Sequence, residues 1–146
     1  MIGLIQRVSG ASVDSEGERL GSIGPGLLVL VGFRKGDRSE RIPRFVERLI
    51  NYRVFPDEAG RMNRSLQDIG GGLLLVPQFT LAADTNSGNR PSFTPAAPPE
   101  EGRALFDQVL ERAASIWPHT AAGRFGADMQ VRLVNDGPVT FWIEVE

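Results

Sequence analysis

The chain has 146 residues, 41% of them apolar and 23% charged, enough for one compact domain with its own core. It contains no cysteine, which excludes disulfides, thiolate nucleophiles, zinc fingers and iron–sulfur clusters, and a single histidine, His119, which excludes a metal site built from two or three imidazoles. The net charge of −2 speaks against wrapping a long stretch of nucleic acid and leaves room for a local contact only. No apolar run approaches the roughly 20 residues of a membrane span. No leader pattern opens the chain, so a cytoplasmic protein with no membrane partner is expected.

The alternation of Ile2 to Val8 predicts a strand. Ala11 to Val13 and Arg19 to Ile23 predict two short strands around a turn at Asp14 to Gly17. Leu27 to Phe33 is a continuous apolar run, expected as a buried central strand. Ser39 is the expected N-cap of a helix with Pro43 in its first turn. Ile42, Phe45, Val46, Leu49 and Ile50 then fall on one helical face. Arg53 to Phe55 predicts a short strand before a turn at Pro56 to Gly60, and Ser65 to Ile69 a single helical turn. Gly70-Gly71-Gly72 leads into Leu73 to Leu81, a second buried strand. Ala82 to Pro99 is long and irregular with four prolines; loops of this length in compact domains are usually functional or disordered. Pro99-Glu100-Glu101 opens a helix whose buried face is Leu105, Phe106, Val109, Leu110, Ala113 and Trp117, ended by Pro118. Ala127 to Val134 and Val139 to Val145 are expected as strands joined by a hairpin-like turn at Asn135-Asp136-Gly137-Pro138. The expected class is α+β: residues 1–146 as a single domain, with a mainly antiparallel or mixed, barrel-like sheet packed with two helices.

Several segments offer chemistry, and each also has a plain structural role. The glycines at 70–72 precede a strand and lack a following Lys-Ser/Thr, so a turn fits them better than a phosphate loop. His119 follows a helix end with no carboxylate placed nearby to orient it, which fits a surface histidine better than a catalytic one. Gln78-Phe79-Thr80-Leu81 ends a strand beside the long loop, where sites often sit. A Thr80 nucleophile needs an adjacent base, and the sequence places none there. Arg90, Ser92 and Phe93 give the long loop a cation for phosphate, a hydroxyl, and an aromatic ring for stacking or for anchoring the loop.

Taken together these segments resemble the D-aminoacyl-tRNA deacylases, also called D-Tyr-tRNA deacylases. The resemblance runs from Ile5-Gln6-Arg7-Val8 through Gly26 to Gly32, Met62-Asn63, Gln78-Phe79-Thr80-Leu81, Arg90-Pro91-Ser92-Phe93 and Gly123-Arg124-Phe125-Gly126-Ala127-Asp128-Met129 to Asn135-Asp136-Gly137-Pro138-Val139-Thr140. It implies a homodimeric, cofactor-free and metal-free esterase acting on the aminoacylated 3′ end of tRNA, with no DNA partner. Gly137 and Pro138, joined by a cis bond, would enter the active site of the other subunit and exclude L-amino acids, with Arg7 holding them in orientation. Gln78, Phe79 and Thr80 would form the catalytic segment at the ester. Phe125, Gly126 and Met129 would bind the terminal adenosine, with Arg90, Ser92 and Phe93 close to the tRNA end. Pro77 stands where the family usually has serine, so this chain offers neither a hydroxyl nor an N–H there. Ala82 stands where an aromatic residue is common. Two readings outside the resemblance remain: a small-ester hydrolase dependent on Thr80, and an RNA 3′-end binding module without turnover.

Overall fold

A computed structural model describes residues 1–146. Its spine is β1 (Ile2–Ser15), antiparallel to β2 (Glu18–Ile23), β3 (Gly26–Gly32) and β8 (Gln130–Glu144). One edge of β1 is shared: Ile2 to Val8 pair with β3 and Ala11 to Ser15 with β2. The other edge carries β8 along most of its length. Beyond β3 come β6 (Gly72–Pro77) and β7 (Thr120–Ala122), both parallel to their neighbours. The sheet is mixed, in the order β2-β1-β3-β6-β7 with β8 on β1. Its ends nearly meet, because a Cβ added to Gly21 of β2 would lie 3.1 Å from the Ala121 Cβ of β7. The result is the expected α+β class, a nearly closed barrel-like sheet packed with helices.

The two apolar runs are explained by cores on both faces. Leu27, Val29, Val31, Leu73 and Leu75 point outward into a core shared with α1 (Ile42–Asn51) and α3 (Pro99–Ile116). Leu28, Leu74 and Val76 point into the barrel with Val8, Ala11 and Val13. A strand buried on both faces needs no polar alternation. In α1 the five apolar residues at helical spacing are all buried, each contributing about 1.5–3 kcal/mol.

Several elements differ from the sequence expectation. The segments Ile2 to Val8 and Ala11 to Val13 are one strand, because β8 continues along β1 past the gap between its other partners. Ser39 is not an N-cap; it starts a 3-10 turn, Ser39–Arg41, and α1 begins at Ile42. Pro43 has no N–H to give to the Ser39 carbonyl, so the α-helical ladder cannot start there. The short strand is Phe55–Pro56 (β4), paired with Met62–Arg64 (β5) across the expected turn. A single-turn helix α2 (Leu66–Ile69) carries a Ser65–Asp68 capping box, and Gly70 closes it with a left-handed φ of 65°. Gly72 faces Gly26 so closely that a Cβ on Gly26 would lie 2.0 Å from the Gly72 carbonyl oxygen. These glycines allow β3 and β6 to pair rather than merely turn the chain. Strand β6 stops at Pro77, where its pairing with β3 runs out, and Phe79–Ala82 is a 3-10 turn. Leu110, on α3, and Trp117, just past its end, are half-buried rather than fully buried in the core.

The largest departure is at the C-terminal end. Asn135 to Pro138 is not a hairpin: both flanks belong to β8 and run in one direction along β1. Between the pairs Val8↔Asn135 and Gln6↔Thr140, β1 advances two residues and β8 five. The surplus residues bulge out of the sheet as an excursion in mid-strand.

Candidate active site

At the carboxyl ends of β3 and β6 a cleft of about 440 Å³ opens between the sheet, the first turn of α3 and residues 125–131. Its size is ordinary for a small-molecule pocket. Val31 and Pro77 line its floor, and Gln78, Phe79, Phe125, Gly126 and Met129 its walls.

One wall is set by the turn after β6. The Gln78 N–H donates to the Val31 carbonyl at 2.8 Å, the last bond between these strands. The chain then tightens into the 3-10 turn, with Leu81 N–H donating to the Gln78 carbonyl and Ala83 N–H to that of Thr80. As the first N–H groups of the turn, those of Phe79 and Thr80 have no acceptor within it. The Gln78 amide Nε2 donates to Thr80 Oγ1. The Phe79 ring is 54% exposed and stacks obliquely on Phe93, centroids 5.2 Å apart.

The opposite wall is Phe125, which leans on Phe106 with centroids 6.5 Å apart. The Arg103 guanidinium lies over its ring at 5.2 Å. Gly102 of α3 is buried against it, and an added Cβ would lie 3.1 Å from Phe125 Cζ. Met129 closes the end of the cleft; its Sδ accepts the Arg124 N–H at 3.4 Å. Gly123 makes room for that sulfur, since a Cβ there would lie 2.7 Å from it.

The other sequence-predicted residues lie apart from the cleft or at its edge. Phe93 reaches it through Phe79. Ser92 pairs through its backbone with Asp84 and donates from Oγ to Thr94 Oγ1 at 3.2 Å, bracing the long loop. Arg90 is exposed on that loop and does not line the cleft. His119 lies at the far end of β6, where its carbonyl accepts the Leu73 N–H. The length of β6 therefore separates it from Thr80, roughly 20 Å.

Gly137 and Pro138 are exposed in the β8 excursion, and the peptide bond between them is cis. Arg7 sits under them: its Nε donates to the Asp136 carbonyl at 2.9 Å and its other arm to the Val54 carbonyl at 2.7 Å. Within one chain this excursion does not reach the cleft. It lies level with Leu27 on β3, and the cleft begins at Val31, four residues or roughly 13 Å along the strand.

Gly102 and Arg103 escaped the sequence reading. A glycine inside a helical pattern is itself a sign of close approach, and only that signal was available. Three carboxyls are held below their ordinary range, all away from the cleft. Asp57 is lowered mainly by the Arg61 backbone N–H, Asp68 by the Ser65 backbone N–H and hydroxyl, and Glu144 by hydrogen bonds from Arg34 and the Trp142 indole. No three His, Cys, Asp or Glu side chains converge as a metal-binding group, and no helix is long and apolar enough to cross a membrane.

Comparison with known proteins agrees across nearly the whole chain. Residues 4–144 match the profile of the family described as D-Tyr-tRNA(Tyr) deacylase. A protein of Thioalkalivibrio sulfidiphilus named D-aminoacyl-tRNA deacylase is 61% identical over 145 residues, 99% of this chain and 97% of the relative. A solved structure described as the c-Myc DNA Unwinding Element Binding Protein superposes with a TM-score of 0.94 at 37% identity, covering 100% of this chain and 99% of that one. A second, a probable eukaryotic D-amino acid tRNA deacylase, shares the fold with a TM-score of 0.88 at 16% identity, covering 99% of this chain and 98% of that one. With matching ordered motifs, fold and full-length similarity, this chain belongs to the D-Tyr-tRNA(Tyr) deacylase family.

Proposed function

We propose that this chain hydrolyses the ester joining a D-amino acid to the terminal adenosine of tRNA, releasing free amino acid and tRNA, in the cytoplasm and as a homodimer. One observation carries the reading: an apolar slot walled by Phe125, Gly126 and Met129 lies beside a turn whose first backbone N–H groups have no partner within it. The slot suits a nucleoside and the turn suits the carbonyl of its ester. An aminoacyl ester is already activated and has a ribose hydroxyl next to it, so the protein's task is positioning and stabilisation of the developing oxyanion. In this mechanism the N–H groups of Phe79 and Thr80 stabilise the oxyanion, water attacks, and the tRNA 2′-hydroxyl assists. Thr80 Oγ1 is held by the Gln78 amide, which is no base, and His119 is too distant to serve as one. That arrangement argues against a Thr80 nucleophile and the small-ester hydrolase that would need it.

Stereochemical selection in this reading is steric. Gly137 and Pro138 of one subunit present main-chain carbonyls to the cleft of the other, where an L side chain would meet them. The separation of the excursion from the cleft within one chain is what a shared site of this kind requires. Glycine has no side chain to reject, so glycyl-tRNA is also a substrate. The test is deacylation of matched D-Tyr-tRNA, L-Tyr-tRNA and Gly-tRNA by the full chain. Release of D-Tyr and Gly with L-Tyr spared is expected. Cleavage of both Tyr enantiomers would refute the steric filter and keep the esterase. Tight tRNA binding with no release would refute the esterase in favour of an RNA-end binding module.

A further inference from the structure

The excursion in β8 needs support from within, because the sheet does not supply it. Asn135 and Thr140 are the last residues paired to β1 on either side, and residues 136 to 139 have no opposite number there. Arg7 holds the rising side through the Asp136 carbonyl. The descending side is held by one side chain. Asn135 Oδ1 accepts the Val139 N–H at 2.8 Å, and Asn135 Nδ2 donates to Thr140 Oγ1 at 2.8 Å. The two ends of the excursion are thus tied by both halves of a single amide.

We infer that Asn135 is a positioning residue for stereochemical selection, setting the aim of the Gly137 and Pro138 carbonyls by fixing the residues that follow them. The inference rests on the reading of that pair as the filter. The side chain must accept from a backbone N–H and pair with a hydroxyl at once. Aspartate can keep both contacts once the Thr140 hydroxyl turns to donate, and alanine keeps neither. Val139 itself is buried at 7% exposure, so its N–H has little access to water if the amide is removed. Loss of the amide frees the descending limb to move relative to Arg7, and the carbonyls move with it. The effect falls on discrimination between enantiomers, because the ester-binding cleft contains no atom of Asn135.

The readout is the ratio of kcat/KM for D-Tyr-tRNA to that for L-Tyr-tRNA. Loss of two hydrogen bonds predicts a fall of about tenfold or more in Asn135→Ala. Asn135→Asp, which can still pair with both the Val139 N–H and the Thr140 hydroxyl, stays within a few-fold of the parent protein. Thr140→Val lowers the ratio a few-fold by the same reasoning, and Thr140→Ser restores it. Val109→Ala, a core truncation in α3, lowers the melting temperature and leaves the ratio unchanged, which separates positioning from general destabilisation. An Asn135→Ala ratio within about twofold of the parent overturns the inference while leaving the filter standing. If Asn135→Ala does not fold, the Thr140→Val and Thr140→Ser pair decides, and an unchanged ratio in Thr140→Val overturns it. A parent protein that cleaves both enantiomers equally refutes the filter itself, a result distinct from either.

Discussion

Replacing Thr80 with alanine separates the two chemical roles open to this residue. The substitution removes Oγ1 and leaves the backbone N–H of residue 80 in its turn. In the structure that oxygen has one side-chain partner, the neutral Gln78 amide. A neutral hydrogen bond contributes about 0.5–1.5 kcal/mol, so its loss predicts a fall of about two- to twelvefold in kcat/KM. Removal of a true nucleophile lowers turnover by about 10⁴ or more. The two expectations differ by nearly three orders of magnitude or more, so modest errors in either do not blur the result. The assay is single-turnover release of labelled D-Tyr from D-Tyr-tRNA, with circular dichroism and tRNA binding measured on the same preparation. A folded, tRNA-binding Thr80→Ala protein that has lost more than about a thousandfold in rate would refute backbone oxyanion stabilisation as the main effect.

Gly102→Ala gains about 1 kcal/mol of helix propensity, yet its Cβ would press Phe125 into the cleft at 3.1 Å. Its melting temperature should hold or rise while KM for D-Tyr-tRNA rises several-fold; an unchanged KM would remove Phe125 from the binding wall. Gly26→Ala places a Cβ 2.0 Å from the Gly72 oxygen, between paired backbones that cannot both stay in place. Overpacking of about 3 kcal/mol predicts a melting point lower by about 6–12 °C in differential scanning calorimetry. Glu144 has a carboxyl depressed below its ordinary value of 4.5 by Arg34 and Trp142. Its contribution to stability is therefore present above pH 4.5 and lost as the pH falls through the depressed value. Glu144→Gln should melt below the parent at pH 7, and the difference should close in strongly acidic buffer; a gap independent of pH would contradict the assignment.

What the sequence made legible was local periodicity. The buried face of α1 emerged whole, because five apolar residues at helical spacing have no other good explanation. The two central strands emerged as continuous apolar runs, though the expected strand Leu73 to Leu81 extends past the point where β3 stops offering partners. Where a strand ends depends on its neighbour's length, which periodicity cannot sense. β5 and β7 are three residues each, too short to register a pattern. Asn-Asp-Gly-Pro carries every mark of a turn, and only pairing with β1, more than 120 residues earlier, turns it into an excursion. The cleft walls at Phe125, Gly126 and Met129 came from motif resemblance, whereas Arg103 reaches the same wall from α3 and leaves no local trace.

The β8 excursion is anchored differently from a hairpin. A hairpin tip hangs from its own two strands and can flap as they fray. This tip hangs from two points on the central strand of the barrel, only two residues apart, roughly 7 Å. Its orientation is therefore tied to the last part of the molecule to open. Under the role proposed for Gly137 and Pro138, warming should remove active molecules before the surviving ones lose accuracy, so that failure would be silent rather than permissive. For an activity that acts on charged tRNA before it is used, a missed correction leaves one faulty tRNA, whereas indiscriminate cleavage would drain the correctly charged pool.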